Sequence, residues 1–141
     1  MMQITMDDYW MGRDLLHADE LTHNVQANAE LLVPRVNSVL ILAAHDLAGL
    51  VSSPTTGSLV ASGWRPQSIN ARTRGAARRS HHLTGCAVDL YDPAGRIDGW
   101  CMQHLDALES AGLWMEHPDA TPRWCHLQSV PPKSGNRVFR P

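Results

Sequence analysis

The chain predicts an α+β fold in which helices come first and a small, mainly antiparallel sheet follows. Three observations carry that expectation. Apolar residues recur at helical spacing through the first third, from Val25 to Leu47. Short segments with strand character follow, ending at Tyr91, Glu116 and Ser129; the first alternates small or apolar side chains with others. Turn formers separate them, Asp92-Pro93-Ala94-Gly95 and the two prolines of residues 117–122, with one further helix between.

In order, residues 5–18 predict a short helix with Thr5 as N-cap. Asp7 and Asp8 in its first turn complement the helix dipole. A longer helix starts at Leu21-Thr22 and carries the stripe Val25, Ala29, Leu32, Val36, Val39, Leu40, Ala43 and Leu47. Pro34 interrupts the pattern, so a kink or a restart is expected there. His17, His23 and His45 read as surface or interface histidines rather than ligands. Residues 49–58 form a loop and 58–63 a short strand. Residues 64–79 are a long, arginine-rich connection, and a connection of that length in a compact domain points to function. Gly85 permits a sharp turn into the strand 86–91. Asp98 is expected to cap a helix over 99–111, with Trp100, His104, Leu105 and Leu108 on its buried face and Gly112 at its end. Strands follow at 113–116 and 123–129. The tail, 130–141, is polar and proline-bearing, and Phe139 is the residue able to pin it back on the body.

At 141 residues the chain is expected to be one domain, 1–141, with a helical part at 5–48 and a motif-bearing core at about 58–128. A net charge of −2 excludes the extended basic surface of a nucleic-acid binder. Arg65, Arg72, Arg74, Arg78 and Arg79 nevertheless crowd one segment, and a local basic rim favours an anionic substrate. Cys86, Cys101 and Cys125 are odd in number and form no C-x-x-C pair, so reduced, buried thiols are expected. The longest apolar run, Val39 to Ala44, is too short to span a bilayer, and no stable membrane association is expected. The stretch from Met1 to Asp8 lacks a basic n-region and an apolar h-region, so no signal peptide is expected.

The chemistry concentrates in Ser80-His81-His82-Leu83-Thr84-Gly85-Cys86-Ala87-Val88-Asp89. His82 offers an imidazole and Asp89 a carboxylate, both suited to Zn²⁺. On the strand, Asp89 points away from Val88 and Leu90. His126 supplies the third ligand if its strand lies beside that of Asp89, and Trp124, His126 and Gln128 share its face. Two imidazoles and one carboxylate leave a single residual positive charge on the metal, which acidifies a bound water. A base is then needed. Glu116, held at a strand end, is preferred to Asp119 in the turn. Arg65, braced by Trp64 and Pro66, is the candidate for stabilising an oxyanion.

Ser62-Gly63-Trp64-Arg65-Pro66 with Ile69-Asn70, the S-x-H-x-x-G-x-A-x-D run from Ser80 to Asp89, and the W-x-H-x-Q run from Trp124 to Gln128 together resemble the M15 family of zinc peptidases. That family includes D-Ala-D-Ala carboxypeptidases, dipeptidases and phage endolysins. The resemblance spans about residues 58–128 and implies a Hedgehog-like fold. It also implies one Zn²⁺ per chain on His82, Asp89 and His126, Arg65 as the substrate-polarising arginine, and Ser80 in the substrate pocket. The implied activity is hydrolysis of peptide bonds in peptidoglycan stem peptides, with metal-bound water as nucleophile and either a carboxypeptidase or an endolysin-type outcome. Many members place the catalytic acid three residues before the last zinc histidine. Here that position is Arg123, which leaves the role to Glu116 or Asp119. A monomer is expected, synthesised in the cytoplasm without a leader, acting on the cell wall and phage-borne, released by holin or carried in the virion. The alternative is a catalytically inactive, metal-containing wall-binding or virion structural module on the same fold. A non-haem iron triad is disfavoured, because its first histidine and carboxylate usually stand two apart and here the spacing is that of His82 and Asp89.

Overall fold

Thr5 opens the first helix of the computed structural model, which describes residues 3–141; Met1 and Met2, the start of the stretch read for a leader, lie outside the described residues. The Thr5 hydroxyl accepts from Asp8 N, and the Asp8 carboxylate accepts from Thr5 N, so α1 (Met6–Trp10) begins on a reciprocal cap. The single helix expected over 5–18 is broken into α1, α2 (Arg13–Leu16) and a 3-10 turn, Ala18–Glu20. Met11 and Gly12 break it, with left-handed φ of 57° and 74°. Tertiary contact imposes that break: Gly63 N donates to Met11 Sδ, and Trp64 N donates to Tyr9 O.

Thr22 caps α3 (His23–Ala43) by accepting from Val25 N. The expected stripe from Val25 to Ala43 is buried. The helix does not restart at Pro34, whose ring lies on the exposed side. After β1 (Val60–Ser62), the arginine-rich connection contains one short helix, α4 (Gln67–Asn70). β2 (Ala87–Tyr91) follows. Asp92, not Asp98, caps the next helix, its carboxylate accepting from Ile97 N and Asp98 N at 3.0 and 2.9 Å. The helix expected over 99–111 is two, α5 (Arg96–Gln103) and α6 (Leu105–Ala111), separated at His104. The His104 ring stacks on Trp100 at 4.0 Å and is partly exposed, so it is not a core residue.

β3 (Trp114–Glu116) and β4 (Trp124–Gln128) lie where strands were expected, and a 3-10 turn (Pro118–Ala120) lies where the turn between them was expected. The tail adds a fifth strand, β5 (Val138–Phe139). The sheet order is β1-β2-β4-β3-β5, and it is mixed, because β5 pairs parallel to β3 while the other pairs are antiparallel. All three cysteines are free and buried. Among the described residues no helix is long and apolar enough to cross a membrane.

Strand alternation sorts the sheet into two faces. Val88, Leu90, Cys125, Leu127 and Met115 join α3 and the other helices in one apolar core. On the opposite face, cross-strand partners line up: Ser62 with Asp89, Asp89 with His126, and Glu116 with Phe139. Glu116 Oε1 stands 4.0 Å from His126 Nε2, which joins these pairs into one row with a residue from each strand.

Candidate metal centre

The β2–β4 pairing sets Asp89 beside His126. His82 arrives from the preceding loop and is fixed by backbone. Arg65 N donates to His82 O at 3.0 Å, Trp64 Nε1 donates to Leu83 O at 3.2 Å, and His82 N donates to Ser80 Oγ at 3.2 Å. Gly85 lets the chain return to the sheet: its φ is +78°, and a Cβ there would stand 2.6 Å from Val25 O. Gly63 is required for a different reason. A Cβ there would overlap the Tyr9 carbonyl, and this close packing aims Gly63 O at His82.

His82 Nε2 is 3.2 Å from Asp89 Oδ2, and His126 Nδ1 is 2.9 Å from Asp89 Oδ1. The second nitrogen of each ring decides what these contacts mean. His82 Nδ1 faces Gly63 O at 2.9 Å; a carbonyl only accepts, so Nδ1 carries a proton and donates it. Gln128 Nε2 donates to Val130 O at 2.7 Å, which turns Gln128 Oε1 toward His126 Nε2 at 2.8 Å. His126 Nε2–H is therefore the donor there. Both neutral rings then present lone pairs to a carboxylate. Three acceptors converge with no proton of their own between them, and a cation, protons or a metal ion, must neutralise the cluster.

The electrostatics agree. Burial pushes the Asp89 carboxyl up, but the His82 charge, the hydrogen bonds of both imidazoles and the His126 charge outweigh it and hold Asp89 well below the usual carboxylate range. Burial pulls His126 down, yet the bond and charge of Asp89, with help from Glu116 and Gln128, raise it above an ordinary imidazole. The three ligand atoms lie within 4.8 Å of one another. Ligands on a tetrahedral ion with bonds of about 2.0–2.1 Å stand roughly 3.3 Å apart, and the carboxylate already stands 3.2 and 2.9 Å from the two ring nitrogens.

Arg65 is buried beside this cluster, near enough for the Asp89 charge to act on it. Its Nη1 donates to Asn70 Oδ1 at 3.1 Å and its Nη2 to Ser62 Oγ at 3.4 Å. Asn70 is itself oriented by donating to Ala77 O. Glu116, half-buried, faces His126. Burial raises its pKa, His126 opposes that rise and Asp89 adds to it. Asp119 is not brought to the cluster: it is exposed and pairs with Arg140 at 3.2 Å. Ser80 lies at the base of the His82 turn as an acceptor for His82 N. Arg72, Arg74, Arg78 and Arg79 are exposed on the adjoining loop. Gly63 O, Asn70 and the amide of Gln128 had no assigned role in the sequence reading. All three stand in the quoted motifs, and Gln128 left the further signal of a polar residue two positions after a histidine on the same strand face.

No family model, no curated protein and no solved structure matches this chain.

Proposed function

We propose that the protein is a zinc peptidase hydrolysing peptide bonds of bacterial peptidoglycan stem peptides, with a Hedgehog-like fold. The observation that supports this most is the meeting, on one sheet face, of three converging acceptor ligands with a half-buried carboxylate and a buried guanidinium. The motif resemblance supplies the substrate class. His82 Nε2, Asp89 and His126 Nδ1 would hold a zinc ion, which would supply a Lewis acid for a carbonyl oxygen and a more acidic water.

The chain's own groups do the rest. Gly63 O and Gln128 hold the two rings in the tautomers that leave the ligating nitrogens bare. Glu116 takes a proton at its carboxylate and returns it to the leaving amine, and its raised pKa suits both halves of that exchange. Arg65, clamped by Asn70 and Ser62, stabilises the carbonyl oxygen as negative charge develops. The exposed arginines of residues 72–79 draw anionic stem peptides toward the cleft. The wall is then the place of action, reached by release through a membrane pore or with a phage particle.

The test is mass spectrometry of defined muropeptides incubated with zinc-loaded protein, beside a chelated control. Chelator-sensitive loss of a terminal D-alanine marks a carboxypeptidase, and an internal cut marks an endopeptidase. Glu116→Gln is expected to lower kcat by about 10²-fold or more while zinc stays bound. Asp119→Ala is expected to leave turnover within about twofold, as for an exposed surface ion pair. No cleavage with one zinc bound would instead favour the wall-binding or virion structural module.

A further inference from the structure

We propose that the C-terminal strand is part of the substrate site, with Phe139 forming an apolar flank beside His126 that takes a small aliphatic side chain next to the bond attacked. The proposal rests on the peptidase reading above. Phe139 is the last member of the row that crosses all five strands, paired with Glu116. Its ring meets His126 edge-on, with centroids 6.3 Å apart and planes at 88°.

Alternation makes this placement specific. Val138 turns to the other side of the sheet and packs on the core. Phe139, one residue on, turns to the opposite face and sits half-buried at the β5 end of the row, beside Glu116 and with its ring against His126. A tail that served only to cover the core would need Val138 alone. The ring is partly exposed on the face that carries Asp89, His126 and Glu116, and the apolar surface it offers stands next to a candidate ligand histidine.

The strand is held firmly enough to serve as a wall. Met115 N donates to Arg137 O at 3.0 Å, and His117 N donates to Phe139 O at 2.7 Å. Arg137 Nη1 donates to Leu113 O at 2.8 Å, and its guanidinium lies over the Trp114 ring at 4.5 Å. Arg140 closes the far end on Asp119. The same pairing gives β3 a neighbour on its outer side, so the strand that carries Glu116 is not an open edge.

Phe139 is the chain's one phenylalanine, so ring-¹³C phenylalanine gives a single labelled side chain. Zinc-loaded labelled protein is titrated with a disaccharide-pentapeptide muropeptide while cleavage is followed in parallel. The ring signal is expected to shift as the muropeptide is added. Phe139→Ala is expected to raise KM roughly fivefold to tenfold with kcat within about twofold and zinc affinity unchanged, the size of one lost aromatic contact. Phe139→Leu is expected to keep most of the affinity. Cleavage without a shift of the ring signal overturns this proposal and leaves the peptidase reading standing. A shift without cleavage upholds the flank and sinks the peptidase reading. Neither shift nor cleavage overturns both, and a fall in kcat or zinc affinity for Phe139→Ala with unchanged KM reduces Phe139 to a structural role.

Discussion

The two faces of this sheet are built from alternating residues of the same strands, yet different forces hold them. Toward the helices, Val88, Leu90, Met115, Cys125 and Leu127 are all fully buried and are stabilised by removal of apolar surface from water. On the opposite face, Asp89 and His126 are held by directional partners, a paired imidazole and an amide oxygen, with the Glu116 carboxylate 4.0 Å from His126 Nε2. The difference predicts how each face fails. The core face answers to volume, because a cavity there has no compensation. The opposite face answers to hydrogen-bonding capacity, because one lost donor or acceptor leaves a buried partner unpaired.

Adjacent residues of β2 put that comparison to its hardest test. Leu90→Ala is expected to cost about 2–5 kcal/mol of unfolding free energy, while the protein that remains folded binds zinc as before. Asp89→Asn keeps the volume and removes the anionic ligand. Its melting temperature is expected to stop responding to zinc. Urea and thermal melts with and without the metal measure both. An Asp89→Asn protein that still gained stability from zinc would break the division between the faces.

A buried carboxylate on the core side sharpens the comparison. Asp98 is 3 % exposed; its Oδ2 accepts from Thr121 Oγ1 at 3.3 Å, and its Oδ1 has no hydrogen-bond partner among the described residues. Burial, with the charges of Asp92 and Glu116 adding, pushes its pKa up to about 6. The folded state therefore holds this proton more tightly than the unfolded chain, whose aspartates titrate near 3.9. The stabilising contribution is complete below that value and is lost as pH rises through about 6. Asp98→Asn mimics the protonated form. It is expected to be the more stable protein at pH 7, by on the order of 2 kcal/mol, and to lose that advantage near pH 4. A variant less stable than the parent at pH 7 would show that the Asp98 charge is compensated in the fold.

The same division explains what the sequence could tell. The α3 stripe was legible because burial repeats every turn and needs no partner to be named. The meeting of His82, Asp89 and His126 was legible because strand alternation places side chains by parity, and parity is written in the spacing. Elements set by a single tertiary contact were not. The break at Met11 and Gly12 follows from packing against Gly63, far along the chain. The break at His104 follows the stacking of its ring on Trp100, inside what the apolar pattern alone presents as one helix. β5 is too short to show a period, and its pairing partner lies outside the tail. The pairing of Asp119 with Arg140 at the surface was not legible either, because Arg140 lies in the tail, 21 residues further along the chain.

The smallest expected effect falls on the group that acts through another. Gln128 touches no ligand oxygen. Its amide is oriented by Val130 O, and its Oε1 accepts from His126 Nε2, which keeps the proton off Nδ1. Gln128→Ala removes the acceptor and frees the ring to take the other tautomer. Zinc affinity is expected to fall about tenfold, near the low end for such supporting partners, because water can enter and accept in its place. The metal-free melting temperature is also expected to fall, because His126 Nε2 and Val130 O lose a buried partner. Gln128→Glu, which still presents an oxygen to Nε2, is expected to restore most of the affinity. Competition with a chromogenic chelator reads all three proteins. If alanine and glutamate lower the affinity equally, the acceptor offered to His126 Nε2 is not what counts, and the bond to Val130 O that only the amide can donate governs this position.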